Sequence, residues 1–297
     1  MIHFIEYRKW WYGLSGLLLT ISLVYLAFGG LKLGIDFTGG SLLQVTFPLT
    51  RPTTDAAELT LADLELGDVL AQPIGDRDMI FRVRELTNVE KNKMVQTLQM
   101  THGVVQEVSF ESIGPTIGAE LRQKAVWSVV LVLVAIILYI SWAFRRVSAG
   151  PVPSWVFGSA AILALIHDIT IVSGLFAILG TYFHVEVDAL FVSAILTILG
   201  FSVHDTIVVF DRIRERLKHQ GGRGFIEVIN ESINQTMIRS LNTSLTTLLV
   251  LLTLYLFGGD SIQWFVLALI VGIVIGTYSS IFIASPLLLL GQRFKNR

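Results

Sequence analysis

The most informative absence in this sequence is charge. Only 15% of its residues are Asp, Glu, Lys or Arg, and 53% are hydrophobic, whereas soluble domains carry about 25% charged residues. Cysteine is absent, which excludes disulfides, thiol catalysis and cysteine-ligated metals. The net charge of −1 gives no indication of nucleic-acid binding, and no nucleic-acid partner is expected. This composition is typical of an integral membrane protein.

Long apolar runs are what the sequence does contain. A transmembrane helix needs about 20 apolar residues, and six segments qualify. The first is longer than the core of a usual signal peptide and has no obvious small-residue cleavage site, so we expect it to remain in the protein. The predicted spans cover residues 10–31, 125–144, 153–183, 189–210, 240–259 and 261–292.

Lys and Arg are concentrated in alternate connections between the spans. The connections 181–188 and 258–260 hold neither residue, whereas basic residues precede span one and follow spans two, four and six. The positive-inside rule therefore predicts that both termini are cytoplasmic. The basic residues concerned are Arg8, Lys9, Arg145, Arg146, Arg212, Arg214, Arg216, Lys218, Arg223, Arg293, Lys295 and Arg297.

A polar segment, residues 32–124, separates the first span (residues 1–31 with the N-terminus) from the bundle of spans two to six (125–297). It is large enough for a small extracytoplasmic domain. Its pattern predicts the order β-α-β-β-α-β, which suggests a ferredoxin-like α+β domain. The predicted strands are 41–47, 69–74, 79–83 and 104–110, and the helices are 53–61 and 88–100. Thr87 and Glu90 are spaced as a capping box.

A cytoplasmic loop is predicted near residues 211–238. Apolar residues recur there at helical spacing, at Phe225, Val228, Ile229, Ile233 and Met237. The pattern fits an amphipathic helix on the membrane surface, or equally a helix that caps the bundle.

Two opposite charges, Asp205 and Arg239, stand within or beside apolar spans. An ionisable residue at membrane depth is costly and is therefore usually functional. Asp205 lies roughly 9 Å below the predicted cytoplasmic end of span four, and Arg239 opens the antiparallel span five. An arginine near a buried carboxyl favours its ionised form, and the carboxyl favours its protonated form when the arginine is distant. A conformational change that alters this distance can therefore make the carboxyl take up and release a proton. A static pair that fixes helix packing, or an arginine that reaches the membrane surface, is the structural alternative.

The dipeptide His-Asp occurs twice within the spans, at 167–168 and 204–205. Adjacent helical residues point about 100° apart, so neither pair makes a good metal chelate, and no metal or cofactor is predicted. Asp168 is a secondary proton-relay candidate. The histidines His167 and His204 fit either a relay or a hydrogen-bonded core role.

Hydroxyl residues make the start of span five unusually polar. Packing between helices is the expected role of most of these residues. Thr243 and Thr247 share a helical face with Arg239, and this one face could instead hold the arginine and ordered water. In span six, Gly272 and Gly276 form a small-xxx-small step that permits close helix approach.

Residues 36–40 (DFTGG) are predicted to form a tight turn before a strand.

Several blocks of this chain together resemble the SecF family, subunits of the bacterial SecDF protein-export complex within the RND superfamily. The blocks are 34–40 (GIDFTGG), 113–121 (IGPTIGAEL), 200–214 (GFSVHDTIVVFDRIR), 239–259 (RSLNTSLTTLLVLLTLYLFGG) and 276–287 (GTYSSIFIASPL). Their order and spacing match over essentially the whole chain.

The resemblance implies six spans, an outer ferredoxin-like domain and a place in the bacterial inner membrane. It further implies a SecD-like partner, the SecYEG translocon, unfolded preprotein substrates and surrounding lipid. The proton gradient would drive late steps of translocation. Asp205 and Arg239 match the functional acid and base of the family, and Asp168 matches an acidic position. At the position of His204 the family more often has Asn, so no proton role is implied there.

Three other functions fit the sequence less well. An independent RND-type exporter of small molecules or lipid would need a larger outer cavity than about 90 residues can enclose, since drug pockets occupy about 300–1,000 Å³. A scaffold that only stabilises the translocon would not need Asp205 or Arg239. An intramembrane enzyme would need a nucleophile and a base, and the sequence shows no credible pair of this kind. No catalytic residue is therefore predicted.

Overall fold

A computed structural model describes residues 3–144, 152–218 and 224–295 of the chain. It divides into two compact units. We call Leu33–Ala125 the sheet unit, and Met1–Lys32 together with Val126–Arg297 the membrane unit. The predicted outer segment, 32–124, differs from the sheet unit by one residue at each end. Four basic residues that we used for orientation, Arg145, Arg146, Arg223 and Arg297, lie outside the described residues.

Ten α-helices and four strands make up the described residues. In chain order they are α1 (Arg8–Phe28), α2 (Ile35–Thr38), β1 (Gly40–Thr46), α3 (Thr54–Leu61), β2 (Leu70–Ile74), β3 (Asp78–Val83), α4 (Asn88–His102), β4 (Gln106–Ile113), α5 (Pro115–Ala143), α6 (Ser154–Phe183), α7 (Ala189–Lys218), α8 (Phe225–Phe257), α9 (Asp260–Ser279) and α10 (Ser285–Lys295). A 3-10 turn, Ala62–Leu64, follows α3, and a π-helical turn, Ser280–Ala284, joins α9 to α10.

The sheet unit has the predicted ferredoxin-like arrangement. Its four strands are antiparallel neighbours in the order β2-β3-β1-β4. Alternate residues of β1 and β3 point into one core, where side chains of α3 and α4 complete it. The core residues include Leu43, Val45, Met79, Phe81, Ala57, Leu61, Met94 and Leu98. The period-2 alternation that predicted the strands is therefore the pattern that buries one face of the sheet.

The predicted capping box at the start of α4 is present. The Thr87 hydroxyl accepts from the Glu90 amide, and the Glu90 carboxylate accepts from the Thr87 amide over 2.8 Å. Arg84 also donates to Glu90 over 2.5 Å. The Arg84 hydrogen bond, followed by those from Thr87, lowers the pKa of Glu90 to about 2. The first turn of α4 thus keeps a negative charge where the helix dipole favours one.

The glycine pair that precedes β1 closes a short helix rather than forming the simple turn predicted for 36–40. The helix α2 ends where Gly39 and Gly40 take positive φ angles of 74° and 128°. A side chain at Gly39 would begin 2.7 Å from the Pro115 Cα atom. Both the backbone conformation and the close approach therefore require glycine at this position.

The membrane unit contains the six predicted spans, each a helix long and apolar enough to cross a bilayer. Of these six helices, α6, α7 and the α9–α10 segment are the most buried within the described chain, and α5 is the least. The candidate site lies among the buried helices. Helices α1, α5 and α8 expose most of their apolar surface, which in a membrane is covered by lipid or by another subunit.

Helix α8 contradicts one of the two alternatives for residues 225–237, a separate amphipathic helix on the membrane surface, and agrees with the other, a helix that packs on the bundle. It runs without a break from Phe225 through the whole of span five. Four apolar residues of its first half are buried within the membrane unit, Phe225, Val228, Ile229 and Ile233, and the Ile5 amide donates to Asn230 Oδ1 over 3.1 Å. The first half therefore packs against the bundle, and Arg239 lies inside a helix instead of at its head.

The last span is interrupted by a π-helical turn just before Pro286. Proline cannot donate to the carbonyl four residues earlier, and its ring clashes with that carbonyl in a regular α-helix. The wider turn over Ser280–Ala284 relieves this conflict, and Ser285 Oγ donates to the Ser280 carbonyl over 2.9 Å. Such single π turns are frequent at functional sites, and this one borders the polar residues described below.

Glycines bring helices into close contact at several places in the membrane unit, among them the contacts of α9 with α7 and of α6 with α1. The predicted step on α9 packs against α7, since a side chain at Gly272 would begin 2.2 Å from Ile198 and one at Gly276 3.0 Å from Ser202. On α6, a side chain at Gly174 would begin 2.2 Å from Ser22 Cβ and 2.5 Å from Ser22 Cα on α1. Here the backbone itself would have to move.

Gly174→Ala is therefore expected to lower the stability of the folded chain by about 1–3 kcal/mol, as overpacked cores do. The measurement is the midpoint of thermal unfolding of the purified chain in detergent. Gly200→Ala on α7 is the matched control, because a side chain there meets nothing within 4 Å. Equal midpoints for the two variants would contradict the close packing of α1 on α6.

Candidate functional site

The carboxyl of Asp205 is buried between three helices of the membrane unit. Only 2% of the residue is exposed, on the face of α7 that meets α8 and α9. Thr277 Oγ1 of α9 donates to its Oδ2 atom over 3.3 Å. Thr277 in turn shares a 2.6 Å hydrogen bond with Ser244 Oγ of α8. Hydroxyl groups, which can both donate and accept, thus form the surroundings of this acid.

Ser240 supplies a further hydroxyl beside Asp205. It lies one turn before Ser244 on the buried face of α8 and close to the carboxyl. Its Oγ atom is buried, but it lies outside hydrogen-bond geometry with any partner in the described part of the chain. An unpaired buried hydroxyl is uncommon in a folded protein. A modest shift of α8 or of the carboxyl would pair the two groups.

Arg239 does not meet Asp205 in this structure. Its side chain is exposed on α8, and within residues 3–144, 152–218 and 224–295 it forms no ion pair or side-chain hydrogen bond. The reason is helical geometry: Ser240 points into the bundle, and the residue before it is rotated by about 100°. The acid and the base predicted as a pair are on neighbouring helices but are not in contact.

The threonine face predicted to line the site is also turned away from Asp205. Thr243 is exposed and Thr247 is half-buried. Their hydroxyls donate to carbonyls of their own helix, those of Arg239 and Thr243, over 3.0 and 2.9 Å. Ser240 and Ser244 occupy the inward positions instead. His204 is likewise exposed, although it is adjacent to the buried Asp205.

Asp168 is the more deeply buried of the two acids, with no exposed surface. Its carboxyl makes hydrogen bonds with three neighbours. Ser202 Oγ of α7 and Ser279 Oγ of α9 donate to Oδ2 over 2.6 and 2.8 Å, and His167 Nδ1 lies 2.9 Å from Oδ1. The predicted relay acid is therefore the centre of a polar cluster in which α6, α7 and α9 all take part.

His167 extends this cluster to the first span. Its Nε2 atom lies 3.1 Å from Ser15 Oγ of α1, which lies 3.0 Å from the Tyr278 hydroxyl. Tyr278 donates to the Trp11 carbonyl over 3.0 Å, and its ring stacks on the imidazole. His167 thus has a defined hydrogen-bond partner on each ring nitrogen, which His204 lacks in the described structure.

Most of the hydroxyl residues that make up the polar surroundings of the two acids were not predicted as site residues. They are Ser15, Ser202, Ser240, Ser244, Thr277, Tyr278 and Ser279, of which Ser240 and Ser244 belong to the polar start predicted for span five. One signal for them was available, because residues 277–280 (TYSS) are four consecutive hydroxyl residues in an otherwise apolar, charge-free span. Ser280 continues this set, with its Oγ 2.8 Å from Thr206 Oγ1 of α7.

The polar neighbours of the two acids are hydroxyl groups, together with His167 at Asp168. Each acid is buried in the apolar part of the bundle and is surrounded by hydroxyls that can reverse their hydrogen bonds when the acid gains or loses a proton. Within the described ranges, no cluster of three or more His, Cys, Asp or Glu residues is arranged to hold a metal ion. Asp205 and Asp168 therefore form two separate acidic centres, joined through α7 and α9.

Comparison with known proteins relates the chain to one family. Residues 93–293 match the family described as protein export membrane protein SecD/SecF, C-terminal, and residues 24–47 match the SecD/SecF GG motif. The chain is 43% identical to protein translocase subunit SecF of Thermobaculum terrenum, over 97% of this chain and 93% of that protein. It is 39% identical to the SecF subunit of Desulfurispirillum indicum, over 97% and 90% of the two chains.

Two solved structures are also similar to this chain. One is the crystal structure of SecDF, a translocon-associated membrane protein from Thermus thermophilus, with a TM-score of 0.85 and 33% identity. The other is SecDF in a super-membrane-facing form, with a TM-score of 0.69 and 32% identity. Each covers all of this chain, whereas this chain covers 39% of each SecDF chain.

Proposed function

Because the chain belongs to the SecF family of protein translocase subunits, we propose that it uses the proton gradient, with a SecD-like partner, to drive late steps of preprotein translocation. Its relatives make it an accessory subunit of the Sec protein-export machinery in the membrane. The proton-coupled mechanism is the part that we add. In this proposal the chain is a transport subunit and catalyses no enzymatic reaction of its own.

The buried carboxyl of Asp205 is the observation that carries this proposal. It lies in the middle of an apolar bundle, and no Lys or Arg of the described chain forms an ion pair with it. An acid in such surroundings is stable without charge, and it needs extra hydrogen bonds or a cation to lose its proton. The site can therefore exist in two states that differ by one proton.

In the proposed cycle, Arg239 and Ser240 are the groups that stabilise the ionised acid. A rotation or shift of α8 would bring the unpaired Ser240 hydroxyl into hydrogen-bond geometry and the Arg239 guanidinium toward the carboxyl. Because α8 is one continuous helix, such a movement at Asp205 would also move its first half, which packs on the bundle. Proton binding would thereby be linked to a conformational change. Thr243, Thr247 and His204 would have at most a supporting role.

The partners follow from the family and from chain length. This chain covers 39% of each SecDF chain, so a SecD-like subunit would supply the remainder. The SecYEG translocon and unfolded preproteins would be the other partners, with lipid around the exposed helices. Both termini would be cytoplasmic, and the sheet unit would contact the emerging preprotein outside the cytoplasm.

The proposal is tested by protein export in inverted membrane vesicles that contain the translocon, with and without this chain and its SecD-like partner. A proton gradient is expected to increase the yield of translocated preprotein only when both subunits are present. A protonophore should remove the increase. If the subunits raise export equally with and without the gradient, the chain is a scaffold. If the gradient response persists in their absence, another component uses the gradient.

A further inference from the structure

The hydrogen bonds around His167 can be assigned one after another, starting from a carbonyl group. Tyr278 Oη donates to the backbone carbonyl of Trp11 over 3.0 Å. A carbonyl oxygen can only accept, and a phenol has a single proton to give. Tyr278 must therefore accept in its 3.0 Å contact with Ser15 Oγ. The proton of Ser15 is directed at Tyr278.

The direction of the Ser15 hydroxyl determines which nitrogen of His167 carries a proton. Since Ser15 gives its only proton to Tyr278, it must accept in its 3.1 Å contact with His167 Nε2. The Nε2 atom therefore carries a hydrogen. The common arrangement, in which a neutral histidine donates from Nδ1 to an ionised aspartate and keeps Nε2 bare, is excluded by this contact.

A second proton lies in the hydrogen bond between His167 and Asp168. The Nδ1 and Oδ1 atoms are 2.9 Å apart, so one of them must donate. With the proton on Nδ1, an imidazolium faces a carboxylate; with the proton on Oδ1, an imidazole accepts from a carboxylic acid. Both arrangements contain the same two protons and have no net charge.

Burial favours this neutral pair. Asp168 is fully buried and only 4% of His167 is exposed, and an uncompensated charge at such a depth would be costly. The neighbouring helices contribute uncharged hydroxyls, Ser15 from α1, Ser202 from α7 and Ser279 from α9. Tyr278 is the one titratable neighbour in this cluster among the described residues, and no Lys or Arg of those residues bonds to the pair.

We propose that His167 and Asp168 form a second proton-binding site of the membrane unit, which holds one proton in the hydrogen bond between Nδ1 and Oδ1. The site is distinct from Asp205 but is joined to it, because Ser202 and Asp205 lie one turn apart on α7. Its use during export rests on the proposed function. Its protonation does not, because the protonation follows from the hydrogen bonds alone.

The test is ¹⁵N NMR of the full chain in lipid nanodiscs with ¹⁵N-labelled histidine. To isolate one signal, the other five histidines are replaced by glutamine, which leaves the cluster intact. Spectra are recorded at a pH of about 8.5, about two units above the ordinary histidine pKa of about 6.5. We expect Nε2 of His167 to be protonated and Nδ1 to be protonated or strongly hydrogen-bonded. A bare Nε2 with a proton on Nδ1 would overturn the proposal.

Tyr278→Phe gives an independent check, because it frees the Ser15 hydroxyl to donate to Nε2. The balance between Nε2-protonated and Nδ1-protonated forms is expected to shift by about fivefold toward Nδ1, an effect of the size of one hydrogen bond. Tyr182→Phe is the control, since it removes a hydroxyl that pairs with Tyr25 and not with this cluster. Identical spectra for wild type and Tyr278→Phe would refute the assignment. Neither spectrum depends on export, so a failed export assay leaves this result standing.

Discussion

Asp205→Asn is expected to abolish the increase in protein export that a proton gradient produces, while the folded chain and its assembly with the partner remain. Asparagine has nearly the same shape as aspartate, and its oxygen can still accept from Thr277. It cannot gain or lose a proton. The gradient-dependent increment should therefore fall at least about tenfold, the usual cost of removing a positioned proton-transfer group being about 10²–10⁴-fold.

The measurement is translocation of a preprotein into inverted vesicles, with and without a proton gradient, at matched amounts of the assembled complex. Asp211→Asn is the control, because Asp211 is also an aspartate of α7 but is exposed. It should leave the gradient response unchanged. An unaltered response in Asp205→Asn would remove the basis of the proposed mechanism, and the chain would then be better described as a scaffold.

Variants of Arg239 can be measured in the same export assay. Because its side chain is exposed and makes no side-chain hydrogen bond or ion pair with the described parts of the chain, Arg239→Gln should leave the thermal midpoint of the isolated chain unchanged. The proposal nevertheless expects it to remove the gradient response. Arg239→Lys keeps the charge and should keep part of the response. A stable Arg239→Gln variant with normal gradient dependence would restrict the proton site to Asp205 and its hydroxyl neighbours.

The sequence predicted the location of the elements well, for identifiable physical reasons. The run of apolar residues fixes where a helix can span a bilayer, and the alternation in β1 fixes which face of the sheet is buried. The Thr87–Glu90 spacing located the start of α4 because a capping box satisfies backbone donors that exist only at a helix start. Each of these signals is local, so each can be interpreted without knowledge of the tertiary contacts.

The rotation of each helix in the bundle could not be predicted in the same way. In a soluble helix the polar face marks the side that contacts water, but a lipid-facing surface is as apolar as the interior of the bundle. The charge of Arg239, and the helical spacing of Thr243 and Thr247 from it, therefore suggested that these three residues line the site. The inward face is instead marked by Ser240 and Ser244, whose hydroxyls are buried. This difference depends on tertiary contacts with α7 and α9.

The sequence also does not show which of the two acids, Asp168 or Asp205, accepts more hydrogen bonds. Both follow a histidine within a long apolar helix, and only the fold shows that their surroundings differ. Asp168 lies where α6 meets α7 and α9 and is hydrogen-bonded by three residues, whereas Asp205 accepts one hydrogen bond, from Thr277. A well-satisfied buried acid mainly fixes structure, and a sparsely satisfied one is free to change its protonation state. The two acids should therefore respond differently to removal.

Asp168→Ala is accordingly expected to be the most destabilising single substitution that we consider, at about 3–5 kcal/mol, the usual cost of removing one member of a buried polar pair. It would leave His167 Nδ1 and the hydroxyls of Ser202 and Ser279 without their partner in a dry interior. Asp205→Ala, the matched control, removes one 3.3 Å hydrogen bond and should cost about 1 kcal/mol. The measurement is unfolding of the purified chain in detergent, followed by circular dichroism. The opposite ranking would mean that Asp205 holds the bundle together, and the cluster around Asp168 would then be the better candidate for the mobile proton.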